Sequence, residues 1–136
     1  MICMIWMARH VYMAINLYEH NQAAYEKVKL LLKKDKRAAV IHPTGTGKSY
    51  IALQLILDNP DKKFLWFSPS EYIYKNQFKG FFGEKADKHL IERVEFHTYA
   101  WLVQHEEHIS ELSADYIILD EFHRIGAPKW ERCINK

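Results

Sequence analysis

Residues Arg37 to Ser49 read RAAVIHPTGTGKS, and this stretch decides the fold. A short apolar run, Arg37 to His42, has the length of a buried strand. Pro43 to Gly47 is a glycine-containing turn. Lys48 to Leu57 then carries Ile51, Leu53, Leu55 and Ile56 in helical order, and Asn59-Pro60 ends it. Strand, glycine turn and helix in that order form a nest for an anion. Gly45 and Gly47 let the chain curl so that several backbone N–H groups aim at one point. The helix that follows presents its positive end to the same point. Gly47-Lys48-Ser49 match the end of the pattern G-x-x-x-x-G-K-[ST], and His42 stands where the first glycine would be. Lys48 is the residue to reach β- and γ-phosphates, and Ser49 the hydroxyl for Mg²⁺.

Outward from the loop, the chain alternates between the two periods. Asn16 to Lys34 predicts a helix with Ala24, Val28, Leu31 and Leu32 on its apolar face. Lys63 to Ser68 (KFLWFS) predicts a second strand. Ser70 or Glu71 opens a helix through about Phe78, broken at Gly80 and Gly83. Arg93 to His97 (RVEFH) predicts a third strand, Tyr99 to His105 a short helix, and Asp115 to Leu119 (DYIIL) a fourth strand. Strand cores that are nearly continuous apolar runs, separated by helices, predict an α/β fold: three layers, α/β/α, around a mostly parallel sheet. In such folds ligands lie beyond the carboxyl ends of the strands.

The fourth strand runs directly into Asp120-Glu121-Phe122-His123. An acidic residue at a strand end holds magnesium in a phosphate-loop protein, so Asp120 takes the metal role and Glu121 polarises the attacking water. His123 is placed to sense the γ-phosphate through a hydrogen bond. The expected catalytic residues are thus Lys48 and Glu121. The expected nucleotide contacts are Pro43, Thr44, Gly45, Thr46, Gly47, Lys48, Ser49 and His123, with Ser49 and Asp120 on Mg²⁺.

With both motifs in place, the chain resembles the first motor domain of the superfamily-two helicases, in the DExH group. Pro43 to Ser49 looks like motif I of that superfamily, and Asp120 to His123 looks like motif II. His42 departs from the small residue usual before Pro-Thr-Gly. Three softer matches follow. Leu17 to Gln22 (LYEHNQ) resembles the upstream glutamine segment, which implies that Gln22 reads the adenine edge; a polar capping segment is the other reading. Phe67 to Ser70 resembles motif Ia, which implies that Ser68, Pro69 and Ser70 touch a nucleic-acid backbone; a strand-to-helix turn capped by Ser70 is the other. Phe96 to Tyr99 resembles the next backbone-contacting motif through Thr98, or is a plain strand end.

The resemblance implies a P-loop NTPase (RecA-like) domain using ATP and Mg²⁺ on a nucleic-acid partner. It spans about Met13 to Trp130, leaving residues 1–12 as an extension and 13–136 as a partial helicase ATP-binding domain. The family's Ser-Ala-Thr motif follows motif II by a few tens of residues, whereas 13 residues follow His123 here. The expectation is a domain truncated after motif II, with its sheet incomplete on the C-terminal side. A second motor domain or companion chain is then needed for efficient hydrolysis, since loss of its arginine costs ~10³-fold or more. A non-catalytic remnant or nucleotide-binding module is the alternative. A small P-loop kinase would need an arginine-rich lid, and the arginines are only Arg9, Arg37, Arg93, Arg124 and Arg132.

Composition bounds these readings. At 136 residues the chain holds one domain at most, and 49% hydrophobic with 26% charged residues suits a packed core rather than disorder. A net charge of +2 is too small to argue nucleic-acid binding, so that rests on motifs. Cys3 and Cys133 form no C-x-x-C pair, which points to a reducing, cytoplasmic compartment. Met1 to Met7 is apolar but too short to span a bilayer, and no basic region precedes it, so neither a membrane anchor nor a secretory signal is expected. His105-Glu106-Glu107-His108 sets its histidines three apart rather than four, which favours a solvated helix end over a metal site.

Overall fold

The structure, a computed structural model, describes residues 17–43, 45–82, 90 and 92–121. In chain order these form α1 (Glu19–Asp35), α2 (Lys48–Asp58), β1 (Phe64–Ser68), α3 (Glu71–Phe82), β2 (Val94–Thr98), α4 (Tyr99–Gln104), a 3₁₀ turn (Glu106–Glu111) and β3 (Tyr116–Leu119). The expected extension, residues 1–12, lies outside the described residues.

The strands form one parallel sheet in the order β2-β1-β3, with Phe67 opposite both His97 and Leu119. Every residue of β1 is buried, as a central strand covered on both faces must be. Its alternate side chains face opposite layers. Phe64 and Trp66 pack with Leu53 and Ile56 of α2 and Phe78 of α3. Leu65 and Phe67 pack with Tyr99 and Leu102 of α4. The result is the expected α/β/α sandwich. The chain turns back after β2, so its connecting helix changes face, as right-handed crossovers require.

Aromatic residues around β1 build core. Tyr74 stacks on Phe96 at 3.9 Å and meets Trp66 edge-on at 5.7 Å. Burying one such ring stabilises by roughly 2–3 kcal/mol. Arg93 stitches the lower edge: its guanidinium donates to the carbonyls of Asn59 at 2.8 Å, Lys62 at 3.1 Å and Ile56 at 3.3 Å, satisfying the C-terminal end of α2. Helix α1 packs on α2 through Tyr25, Val28 and Ile51, and the Tyr25 hydroxyl donates to the Asp58 carboxylate.

Three expectations are corrected. Arg37 to His42 is not a strand; among the described residues it pairs with none, and Ile41 is 91% exposed. Its two alanines bury little apolar area, and only Val40 tucks against the α1–α2 cluster. The apolar face of α1 does run through Ala24, Val28 and Leu32, joined by Asn21 and Tyr25, but Leu31 departs from it and is 40% exposed. Gly80 does not break α3, which continues to Phe82; a lone helical glycine costs only about 1 kcal/mol.

Candidate functional site

The loop between residue 42 and α2 adopts the curl its glycines allow. Gly45 and Gly47 both take left-handed backbone, with φ of 80° and 79°. Gly47 is the N-cap of this 11-residue helix and supplies no side-chain cap; its carbonyl accepts from the Tyr50 N–H at 3.1 Å, which leaves the N–H groups of Lys48 and Ser49 to a ligand or solvent. The Thr46 hydroxyl donates to the Pro43 carbonyl at 2.7 Å and closes the turn. The Lys48 ammonium donates to the carbonyls of His42 at 2.7 Å and Pro43 at 3.3 Å. The cation is therefore folded into its own loop. Ser49 follows it in the first turn of α2, half-buried. Thr44 lies outside the described residues.

From below, the first turn of α1 holds this loop. The Asn21 amide donates to the Thr46 carbonyl at 2.7 Å and the Gly47 carbonyl at 3.3 Å. The His20 ring reaches the same Thr46 carbonyl at 3.1 Å. Gln22 lies one residue further on, exposed, and its amide donates to Glu26 at 3.2 Å. Sequence reasoning singled out Gln22 and missed Asn21. The signal was present, since Asn21, Tyr25 and Val28 share one face of α1 at spacings of four and three.

Asp120 and Glu121 stand directly beyond β3. The Asp120 N–H donates to the Phe67 carbonyl at 2.9 Å, extending the ladder one residue past the strand. The Tyr99 hydroxyl donates to the Asp120 carbonyl at 2.7 Å. Glu121 then turns into left-handed backbone with φ of 52°. Burial raises the Asp120 carboxyl above the usual carboxylate range, and the neighbouring Glu121 charge raises it further. Opposing them are a backbone hydrogen bond at Glu121, the Lys48 ammonium and the Trp66 indole. The indole N–H faces the carboxyl without reaching full hydrogen-bond geometry. The Lys48 ammonium thus counts among the charges that act on Asp120. Asp120 Oδ2 is buried with no hydrogen-bond partner, an orphaned anionic oxygen of the kind a hard cation satisfies. His123 lies outside the described residues.

Along the same carboxyl edge sit the remaining expected positions. Ser68 is fully buried, and its hydroxyl donates to the Ser70 carbonyl at 3.4 Å. The Ser70 hydroxyl accepts from Ile73 N–H at 3.2 Å and caps α3, across the half-buried Pro69. The Thr98 hydroxyl accepts from Trp101 N–H at 3.1 Å and caps α4. Ser68 and Thr98 are register partners, so these residues form one ledge beside the acidic pair. His97 and His105 are used locally: His97 stacks on Trp101 at 3.7 Å, and the His105 ring contacts the Trp101 carbonyl at 2.8 Å. Among the described residues no group of three or more metal-ligating side chains forms, and no helix is long and apolar enough to cross a membrane.

A family model described as "Type III restriction enzyme, res subunit" matches residues 14–136. No curated protein and no solved structure matches.

Proposed function

The chain belongs to the family of the type III restriction enzyme res subunit, a helicase-like P-loop ATPase domain, and from that premise we propose that its cleft binds Mg-ATP as the first motor domain of a DExH-type, nucleic-acid-dependent ATPase. The observation that supports this most is the left-handed backbone of Gly45 and Gly47 at the N-terminus of α2, the curl that an anion nest requires. Lys48 follows in that turn, and the orphaned Asp120 Oδ2 stands at the end of β3.

In this reading the N–H groups of residues 45–49 and the Lys48 ammonium hold the β- and γ-phosphates, with Pro43, Thr44 and Thr46 shaping the loop around them. Phosphate oxygens would take over the ammonium now donated to His42 and Pro43. Ser49 and Asp120 would hold Mg²⁺, and the orphaned Asp120 Oδ2 fits that donor set. The chemistry of the bound ion is neutralisation of phosphate charge. Glu121 orients and polarises the attacking water. His123 reports on the γ-phosphate, and Gln22 reads the adenine edge after leaving Glu26. The half-buried residues of the ledge, Pro69, Ser70 and Thr98, take a nucleic-acid backbone, whereas Ser68, expected among the contacts, is fully buried and supports the ledge from beneath. A second motor domain or companion chain contributes the arginine for fast turnover.

The test is ATP turnover measured with no nucleic acid, with single strands and with duplexes, of DNA and of RNA. Stimulation by any of them supports the motor. Mg-ATP binding without stimulated turnover would favour a nucleotide-binding module instead. Failure to bind Mg-ATP would remove both.

A further inference from the structure

The phosphate loop is gripped from its outer side by one buried amide. Asn21 is 1% exposed, and its Nδ2 donates to two successive loop carbonyls, those of Thr46 at 2.7 Å and Gly47 at 3.3 Å. The opposite amide orientation would set Oδ1 against both carbonyl oxygens, so the network assigns this one. In a planar trans peptide the carbonyl and the following N–H point in opposite directions. Drawing the Thr46 carbonyl toward α1 therefore turns the Gly47 N–H away from α1. Drawing the Gly47 carbonyl does the same for the Lys48 N–H. These are two of the donors an anion nest requires.

A second observation separates this role from simple packing. Asn21 Oδ1 is buried with no hydrogen-bond partner. An unpaired buried acceptor destabilises a fold, and an apolar side chain of the same volume avoids that cost. The amide thus sits there at the expense of stability, which points to its donor as the useful part. Gly47 fits flush against it: a Cβ at Gly47 would come within 2.9 Å of Asn21 Nδ2.

We propose that Asn21 is a positioning residue for phosphate recognition, orienting the Gly47 and Lys48 N–H groups into the cradle, with the exposed His20 ring as a second support on Thr46. This rests on the nucleotide reading above. It assigns the coupling between α1 and the loop to Asn21, a residue distinct from Gln22.

The test is Mg-ADP titration of the wild-type chain, Lys48→Ala and Asn21→Leu, each with a parallel unfolding curve. Asn21→Leu is expected to bind Mg-ADP about tenfold more weakly, from the loss of two hydrogen bonds, while its unfolding midpoint stays level or rises. Wild-type affinity in Asn21→Leu would overturn the proposal. So would affinity and stability falling together, which is the mark of a merely structural residue. If Asn21→Leu does not fold, His20→Ala carries the test: about threefold weaker binding at an unchanged midpoint supports the proposal, and unchanged affinity overturns it. A wild-type chain that binds no Mg-ADP fails at the earlier step, taking the nucleotide reading and this proposal with it.

Discussion

The Lys48 ammonium donates to the His42 carbonyl at 2.7 Å, so the cation of the glycine loop is held by its own backbone. In the proposed reading the loop exchanges these bonds for phosphate oxygens when an anion enters. Lys48→Ala removes a charge-assisted partner that no neighbour replaces. Mg-ATP affinity is expected to fall on the order of 100-fold, read by calorimetric titration. Far-ultraviolet circular dichroism should stay unchanged, because the side chain is outside the core.

The two loop glycines should not tolerate alanine equally. Both have φ near 80°, so a Cβ is strained at either. At Gly45 the Cβ would meet open space, whereas at Gly47 it would come within 2.9 Å of Asn21 Nδ2. Gly45→Ala is expected to cost about 1 kcal/mol, and Gly47→Ala about 2 kcal/mol or more. Chemical denaturation of the two variants side by side measures the difference.

The buried Asp120 carboxylate is a stability cost that binding would offset. Its carboxyl is raised above the usual carboxylate range by burial and by Glu121, so holding the charge there costs stability. Asp120→Asn removes the charge and should raise the melting temperature by about 3–5 °C in the absence of Mg²⁺. Magnesium nucleotide should raise the melting temperature of the wild type and leave that of Asp120→Asn nearly unmoved. Differential scanning fluorimetry with and without Mg-ADP reads both effects.

Burial also sets the response to alkali. The Tyr74 phenol is pushed up from 10.0 to about 12 by desolvation. A raised folded-state value contributes stability that is fully present below pH 10 and is lost as pH rises through about 12. Tyr74→Phe keeps the ring stacked on Phe96 and removes the ionisable group. Its loss of stability between those two pH values should be shallower than that of the wild type, in unfolding curves measured across the window.

Much of this was legible from residue order. KFLWFS, RVEFH and DYIIL became β1, β2 and β3 within a residue at either end, because short β-branched and aromatic runs bounded by charge favour strands; only in β1 did the apolar run also report full burial. Gly45 and Gly47 took the left-handed backbone that their place in the turn requires. Arg37 to His42 did not, because a local pattern measures strand-forming tendency and not whether a partner edge is present. Asn21 escaped for another reason. A polar residue on an apolar helix face reads as a break in periodicity until the carbonyls that it meets, 25 and 26 residues away, are known. The cap at Ser70 was anticipated as one of two readings, and the hydrogen bond made there is a cap; Thr98, expected as a backbone contact or a plain strand end, caps α4 instead.

The most direct measurement is a crystal structure of the chain with Mg-ADP. Phosphate oxygens are expected within hydrogen-bond reach of the N–H groups of residues 45–49, with the Lys48 ammonium withdrawn from His42 and magnesium near the Ser49 hydroxyl and Asp120. Nucleotide bound elsewhere, or Lys48 still held by the His42 carbonyl beside a bound nucleotide, would contradict the proposed function.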